Sequence, residues 1–286
     1  MSTIAASSTP MSGMRLTASL AVLGFLFAGP ARVVAQDAPP DPRQAMPERP
    51  TVATHAHTVA PGIIELETGG QFQYPDPGSS LWTVPILFKI GLAPRLQLDV
   101  APGWLSASAG GRTASGLGDS MVGLKWQLTD GAPVLGDFAL QATLKVPTGS
   151  RPQGTGTGTT DVNLLAISSH EFGRVALDVN AGYTWRSGDG SEAPKAATFW
   201  TVSWGFELSE RVSWVVECFG YPGTAGPSGA PGSSALLTGP TYTVNPSTVL
   251  DAGIILNVKR FGGTAVYAGV TWNIGRMWTP PVRQRP

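Results

Sequence analysis

From Gly62 to Gly275 the chain repeats one pattern: about twelve segments of roughly ten residues in which apolar and polar positions alternate. That length is what a tilted strand needs to cross a bilayer. The spacing predicts strands at approximately 62–73, 81–92, 95–105, 118–129, 135–146, 161–170, 174–185, 196–208, 211–219, 233–243, 247–258 and 263–275. In the third, Leu96, Leu98 and Val100 share one face and Gln97 and Asp99 take the other. In the seventh, Val175, Leu177, Val179 and Tyr183 oppose Asp178, Asn180 and Thr184. In the eleventh, Leu250, Ile254 and Leu256 oppose Asp251 and Asn257. A period of two sets one face on lipid and the other in a lumen.

Loop lengths alternate as well. Ala93-Pro94, Thr129–Pro133, Phe172-Gly173, Ser209-Glu210 and Asn245-Pro246 lie in short connections with turn chemistry. Between them come the longer Tyr74–Ser80, Ser106–Leu117, Pro147–Thr160, Arg186–Lys195 and Gly220–Gly232, with Lys259–Gly263 a short exception. A soluble sandwich has no reason to alternate its loops. An outer-membrane barrel does, because one rim faces the periplasm and the other faces outside. The expected fold is therefore all-β: an antiparallel transmembrane β-barrel of about 12 strands, bacterial outer-membrane type, over residues 62–278. Pro85 and Pro240 interrupt two strands where a closed ladder wants every donor.

The export signal agrees. Leu16–Ala28 is apolar, follows Arg15, and leads into small residues ending at Val33-Val34-Ala35. This is a signal peptide, residues 1–35, with cleavage expected after Ala35 and translation starting at Met1 or Met14. No cysteine follows the cleavage point until Cys218, which argues against a lipoprotein. After the signal no apolar run approaches the roughly 18 residues of a spanning helix, so only a closed barrel satisfies its backbone in lipid. Residues 36–61, rich in proline and charge, read as a disordered or extended periplasmic lead-in. His55 and His57 within it read as solvated histidines, since nothing completes a metal ligand set.

Composition removes other classes. Once Arg15 and Arg32 leave with the signal, 17 basic residues stand against 19 acidic, which gives no footprint for nucleic acid. Mean hydropathy is slightly positive. The tryptophans suit an aromatic girdle: Trp82, Trp104 and Trp185 near outer strand ends, Trp126, Trp214 and Trp272 near inner ones, and Trp200 and Trp204 reaching from girdle into lipid.

Candidate chemistry is sparse. Gly154–Gly158 lacks the strand, the helix and the GK[ST] of a phosphate loop, and reads as a flexible outer loop. No GxSxG occurs. His170 is the one histidine of the barrel region, so a lipid hydrolase would have to use it with a serine such as Ser169. No enzyme, cofactor or metal site is expected. The informative set is charged: Glu65, Glu67, Lys89, Asp99, Lys125, Lys145, Asp161, Asp178, Glu217 and Asp251 all oppose the apolar face. A lysine facing hydrocarbon costs roughly 2–4 kcal/mol at the midplane, so these residues face the lumen as pore-lining candidates. They either pair across a filled interior or line a watery path. Met121, Leu165, Ile167 and Phe199 share that face and give a partly apolar lumen.

Three ordered stretches carry a family resemblance: Gly116-Leu-Gly-Asp119 with Gly123-Leu-Lys-Trp126, then Lys145-Val-Pro-Thr-Gly149, then Gly156-Thr-Gly-Thr-Thr-Asp161. Together they resemble the outer-membrane family labelled "putative MetA-pathway of phenol degradation", from about Gly62 to Gly275. The resemblance implies a transporter-like barrel, sometimes encoded with aromatic-degradation genes, and no established catalytic residues. Such chains commonly finish on the aromatic of the last strand, whereas TPPVRQRP (279–286) follows Trp278 here. An assembly signal would then be internal, or the tail tolerated.

The expected function is a channel passing small, possibly aromatic or amphipathic, solutes passively across the bacterial outer membrane, with Lys89, Lys125, Lys145, Asp99 and Asp251 setting preference. Its expected partners are membrane lipids, those solutes and the outer-membrane assembly machinery, with no nucleic acid. The alternatives are a closed structural or adhesive barrel, and a barrel-embedded enzyme.

Overall fold

The computed structural model describes residues 41–190, 193–224, 229, 231–260 and 262–279. The signal peptide with its cleavage point, and the tail from residue 280, lie outside the described residues.

Fourteen strand segments form one antiparallel sheet. They are β1 (Ile63–Tyr74), β2 (Ser80–Ala93), β3 (Leu96–Ala101), β4 (Gly103–Ala109), β5 (Arg112–Leu117), β6 (Ser120–Ala132), β7 (Gly136–Val146), β8 (Asp161–Phe172), β9 (Val175–Arg186), β10 (Ala196–Glu207), β11 (Val212–Tyr221), β12 (Ser233–Asn245), β13 (Thr248–Lys259) and β14 (Thr264–Arg276). β2 pairs with both β3 and β4, so these are one strand broken at Pro102. β6 and β5 pair with β3 and β4 in turn, so they are a second strand, broken at Gly118-Asp119. The fourteen segments are thus twelve spanning strands. β1 bonds to β14 as well as to β2, which closes the ring; β5, whose strand partner is β4, extends the second strand beyond it.

The stretch read as the outer loop Ser106–Leu117 is instead a hairpin. β4 and β5 turn at Gly110-Gly111, both at positive φ (56° and 74°). Its Ser, Ala and Thr residues lack the apolar alternation that marks a strand in lipid. The two prolines sit where the ladder is already open. The β1–β2 register skips from Thr68↔Ile86 to Gln71↔Thr83, past Pro85, and the Thr68 hydroxyl donates to the Pro85 carbonyl (3.0 Å). The β12–β13 register skips from Thr238↔Ile254 to Thr241↔Asp251, past Pro240.

The two faces differ as the alternation requires. Outward positions carry exposed apolar side chains, among them Leu124, Leu140, Leu144, Leu164, Leu250 and Val266. Trp82, Trp126, Trp185, Trp200, Trp214 and Trp272 are exposed on the same outer surface. The inward face is polar and buried: Glu65, Lys89, Lys125 and Glu217 show no exposure at all.

What buries them is the segment before β1. Residues 41–61 are neither a disordered lead-in nor outside the barrel. They lie in the lumen, turning at Pro42-Arg43 and Arg49-Pro50, and are bonded to inward side chains of β1, β2, β3, β6, β8, β9, β11, β13 and β14. Pro42, Pro47, Pro50 and Pro61 favour an extended backbone and bring no N–H of their own. Every remaining buried N–H still needs an acceptor, and the wall supplies it.

Candidate functional site

The lumen wall grips the segment chiefly through its backbone. Glu65 accepts the Met46 N–H (2.8 Å), and Glu67 accepts those of Glu48 (2.8 Å) and Arg49 (3.1 Å). Glu217 takes the N–H groups of Val52 and Ala53, one per carboxylate oxygen and both at 2.8 Å, and its Oε1 also accepts the Thr201 hydroxyl. Asn180 makes a two-way pair with Thr54, its carbonyl accepting (2.8 Å) and its amide donating (2.9 Å). The Ser169 hydroxyl accepts from Ala56 (2.9 Å), and the Gln97 carbonyl from Val59 (2.9 Å). Hydrogen bonds to charged acceptors are about twice as strong as neutral ones.

Charge pairs complete the grip. Lys89 Nζ lies 2.6 Å from both Glu65 and Glu67 and donates to the Met46 carbonyl. Lys125 binds Glu48 and reaches the Thr54 hydroxyl (3.3 Å) and the His55 carbonyl (3.2 Å). Burial works against Glu48 ionising, but the Lys125 and Lys89 ammoniums hold its carboxyl well below the usual range. Burial, then Lys125, pushes His55 down to about 3. Its neutral ring suits the Nε2 contact to the Met46 carbonyl (3.3 Å). His57 lies 3.4 Å from Asp137. Neither is a solvated linker histidine.

Arg49 spans the lumen to Asp251 with a bidentate pair, Nε and Nη2 each at 3.1 Å from a carboxylate oxygen. Its guanidinium lies over Gly69 and Gly269, which face each other across β1 and β14. A methyl on Gly269 would come within 2.7 Å of Arg49 Cζ. Gly269→Ala therefore displaces the guanidinium and loosens the segment. A spin label at Val52 should gain mobility in that variant while the heat-dependent gel shift of the closed barrel persists.

Of the ten charged residues read from the sequence, Glu65, Glu67, Lys89, Lys125, Glu217 and Asp251 hold the segment rather than face an empty path. Asp99 is held by Gln97 and Gln141 (2.7 and 2.9 Å), and Asp178 accepts the Ser169 hydroxyl. Lys145 and Asp161 pair with each other at the outer mouth (2.6 Å). The segment's place in the lumen and the partnership of Gln97, Ser169 and Asn180 with it escaped the sequence reading, as did Asn273 altogether. One signal was there: among mid-lumen positions the inward acids outnumber the lysines, and surplus buried acids require donors.

The apolar inward residues fall into three places. Ile167 and Leu165 pack on Ala56 of the segment. Phe199 joins Val215, Phe219, Ala235, Leu237, Ile255, Ala265 and Tyr267 in an apolar sector of β10–β14, mostly toward the outer end. Met121 lines a cavity at the outer mouth. A further cavity of about 240 Å³ lies between the segment and the wall beside Pro85 and Leu87.

Ser169 and His170 cannot act as a pair, because alternation sends Ser169 inward and His170 outward. His170 meets Ser168 instead (3.1 Å), but the Ser168 hydroxyl donates to the Leu135 carbonyl (2.7 Å). The serine proton is therefore not directed at the imidazole, as a nucleophile requires.

The family model described as "Putative MetA-pathway of phenol degradation" matches residues 49–270, from inside the lumen segment to β14. The chain belongs to this family. No curated protein matches this phenol-degradation-family barrel. Among solved structures it resembles an outer membrane channel from Pseudomonas putida F1, with TM-score 0.57 and 15% identity over 83% of this chain and 100% of that one. It also resembles the Pseudomonas putida toluene transporter TodX, with TM-score 0.44 and 10% identity over 75% and 90%. Outer membrane phospholipase A from Escherichia coli gives TM-score 0.40 and 13% identity over 81% and 95%. At these identities the first likeness speaks to fold, and the family barrel is of bacterial outer-membrane type.

Proposed function

We propose that this barrel is an outer-membrane channel through which small aromatic or amphipathic solutes pass passively. The observation that carries the reading is the apolar sector of the inner wall, Phe199, Phe219, Leu237, Ile255 and Tyr267, set above a polar, segment-filled lower lumen. A general diffusion pore has a polar interior. A wall with one apolar side lowers the cost of desolvating a ring while leaving water for a polar group. With Lys89, Lys125 and Asp251 committed to the segment, selection by charge falls to the outer mouth at Lys145, Asp161 and Arg186. The names of the similar channel and toluene transporter agree with this direction. The protein acts in the outer membrane, among lipids, after export and insertion by the outer-membrane assembly machinery.

The lumen segment favours a second reading, a closed barrel that binds a partner through its outer loops. An enzyme finds no support in the Ser168–His170 geometry. Influx into liposomes carrying the mature chain separates the first two. We expect benzyl alcohol and phenol to enter faster than glucose, relative to protein-free vesicles. A closed barrel with no flux of any solute would sink the channel reading.

A further inference from the structure

The three stretches that carry the family resemblance fall within residues 116–161 and lie on different strands and their connections, and they meet at the outer mouth. Asp119, at the break between β5 and β6, accepts the Gly149 N–H (3.2 Å) at Oδ1. Its Oδ2 accepts both the N–H (2.9 Å) and the hydroxyl (2.6 Å) of Thr157. Lys145 sits between Asp161 (2.6 Å) and Asp119 (3.6 Å) and donates to the hydroxyls of Thr157 and Thr159. Thr148 donates to the Gly118 carbonyl (3.0 Å) and accepts the Ser120 N–H (2.9 Å). The segment between turns tightly, with the Thr155 and Gly156 N–H groups both on the Ser150 carbonyl (3.0 and 3.4 Å), and Thr155 is buried.

Two glycines make this fit possible. A side-chain carbon on Gly149 would come 2.7 Å from Gly156 Cα, and one on Gly156 would come 2.6 Å from Asp119 Oδ1. The connection 147–160 is therefore a folded element held in place by an ion-pair cluster, not a flexible loop. It stands between two openings. One, of about 460 Å³, faces the wall at Thr83, Pro85 and Leu105. The other, of about 770 Å³, faces Asp161, Arg186 and the β9–β10 connection.

We propose that Asp119 is a specificity-determining residue of the outer mouth: by fastening the 147–160 connection across it, Asp119 splits one wide mouth into two narrow ones and so fixes the largest solute admitted. This rests on the channel reading. Lys145 and Asp161 form the wall side of the same fastening, and Thr157 is the point at which Asp119 and Lys145 both take hold.

The test uses the whole mature chain in liposomes, with Asp119→Ala and, as a milder variant, Asp119→Asn. A spin label at Gln153→Cys in a Cys218→Ser background reports on the connection. Swelling rates for arabinose, glucose, sucrose and raffinose report on size. We expect the label to gain mobility in Asp119→Ala and the raffinose-to-arabinose rate ratio to rise about tenfold, with the arabinose rate little changed. A label that stays immobile overturns the fastening. A mobile label with an unchanged ratio and intact arabinose flux overturns the size role and leaves the channel standing. Folded barrels, wild type and variant, that admit neither these sugars nor benzyl alcohol overturn the channel reading and this inference with it. Asp119→Asn retains one acceptor oxygen, for Thr157 or for Gly149, and should fall between wild type and Asp119→Ala.

Discussion

Lys125→Glu opens the barrel. Lys125 is fully buried against Glu48 of the lumen segment, with the His55 carbonyl and Thr54 hydroxyl completing its shell. Reversing its charge sets one carboxylate against another and against a carbonyl, and leaves Glu48 only the more distant Lys89 ammonium, which Glu65 and Glu67 already share. Breaking a buried pair in this way costs about 3–5 kcal/mol. A two-state segment, seated or withdrawn, then shifts by at least about a hundredfold toward withdrawal. Small-solute influx and single-channel conductance should rise accordingly, while the heat-dependent gel shift still reports a closed barrel. The double variant Glu48→Lys/Lys125→Glu restores the pair with its signs exchanged and should return influx toward wild type. A folded Lys125→Glu barrel with unchanged influx would show that the segment does not govern the path.

Lys89→Met has the largest expected effect on stability. Lys89 lies within 2.6 Å of two carboxylates, Glu65 and Glu67, two residues apart on β1, and none of the three has solvent of its own. Methionine matches the stem in volume but leaves the two acids facing each other. We expect a loss of about 3–5 kcal/mol, measured as a lower urea midpoint for the barrel in detergent. Glu67→Gln on top of Lys89→Met removes one of the stranded charges and should recover part of the loss. Equal midpoints for wild type and Lys89→Met would mean that the cluster contributes nothing to folding.

Strands, faces and topology were legible because lipid enforces a strict period of two and a ring enforces alternating loops. Asp178, Asn180 and Thr184 could be set inward from their neighbours alone. The β4–β5 hairpin was not legible, since polar Ser–Ala–Ser strands above the bilayer answer to no such constraint. The lumen segment was the larger omission. Its recognition runs through backbone N–H groups, which leave no trace in residue type, and its partners lie up to 231 positions away, as with Pro42 and Asn273. A stretch rich in proline and charge reads as linker because it buries almost nothing by itself. Likewise, the motif spacing of Asp119, Lys145 and Asp161 was visible, but their meeting depended on a strand break at Gly118-Asp119 that the alternation conceals.

The wide distribution of the segment's partners also ties its seat to the whole ring. The segment precedes every strand in the chain, yet its acceptors come from β1, β3, β8, β9, β11 and β13, so no partial sheet offers it more than a fragment of its seat. The seat becomes complete only when β14 pairs with β1. The seat is thus a property of the closed ring and of no shorter stretch of sheet.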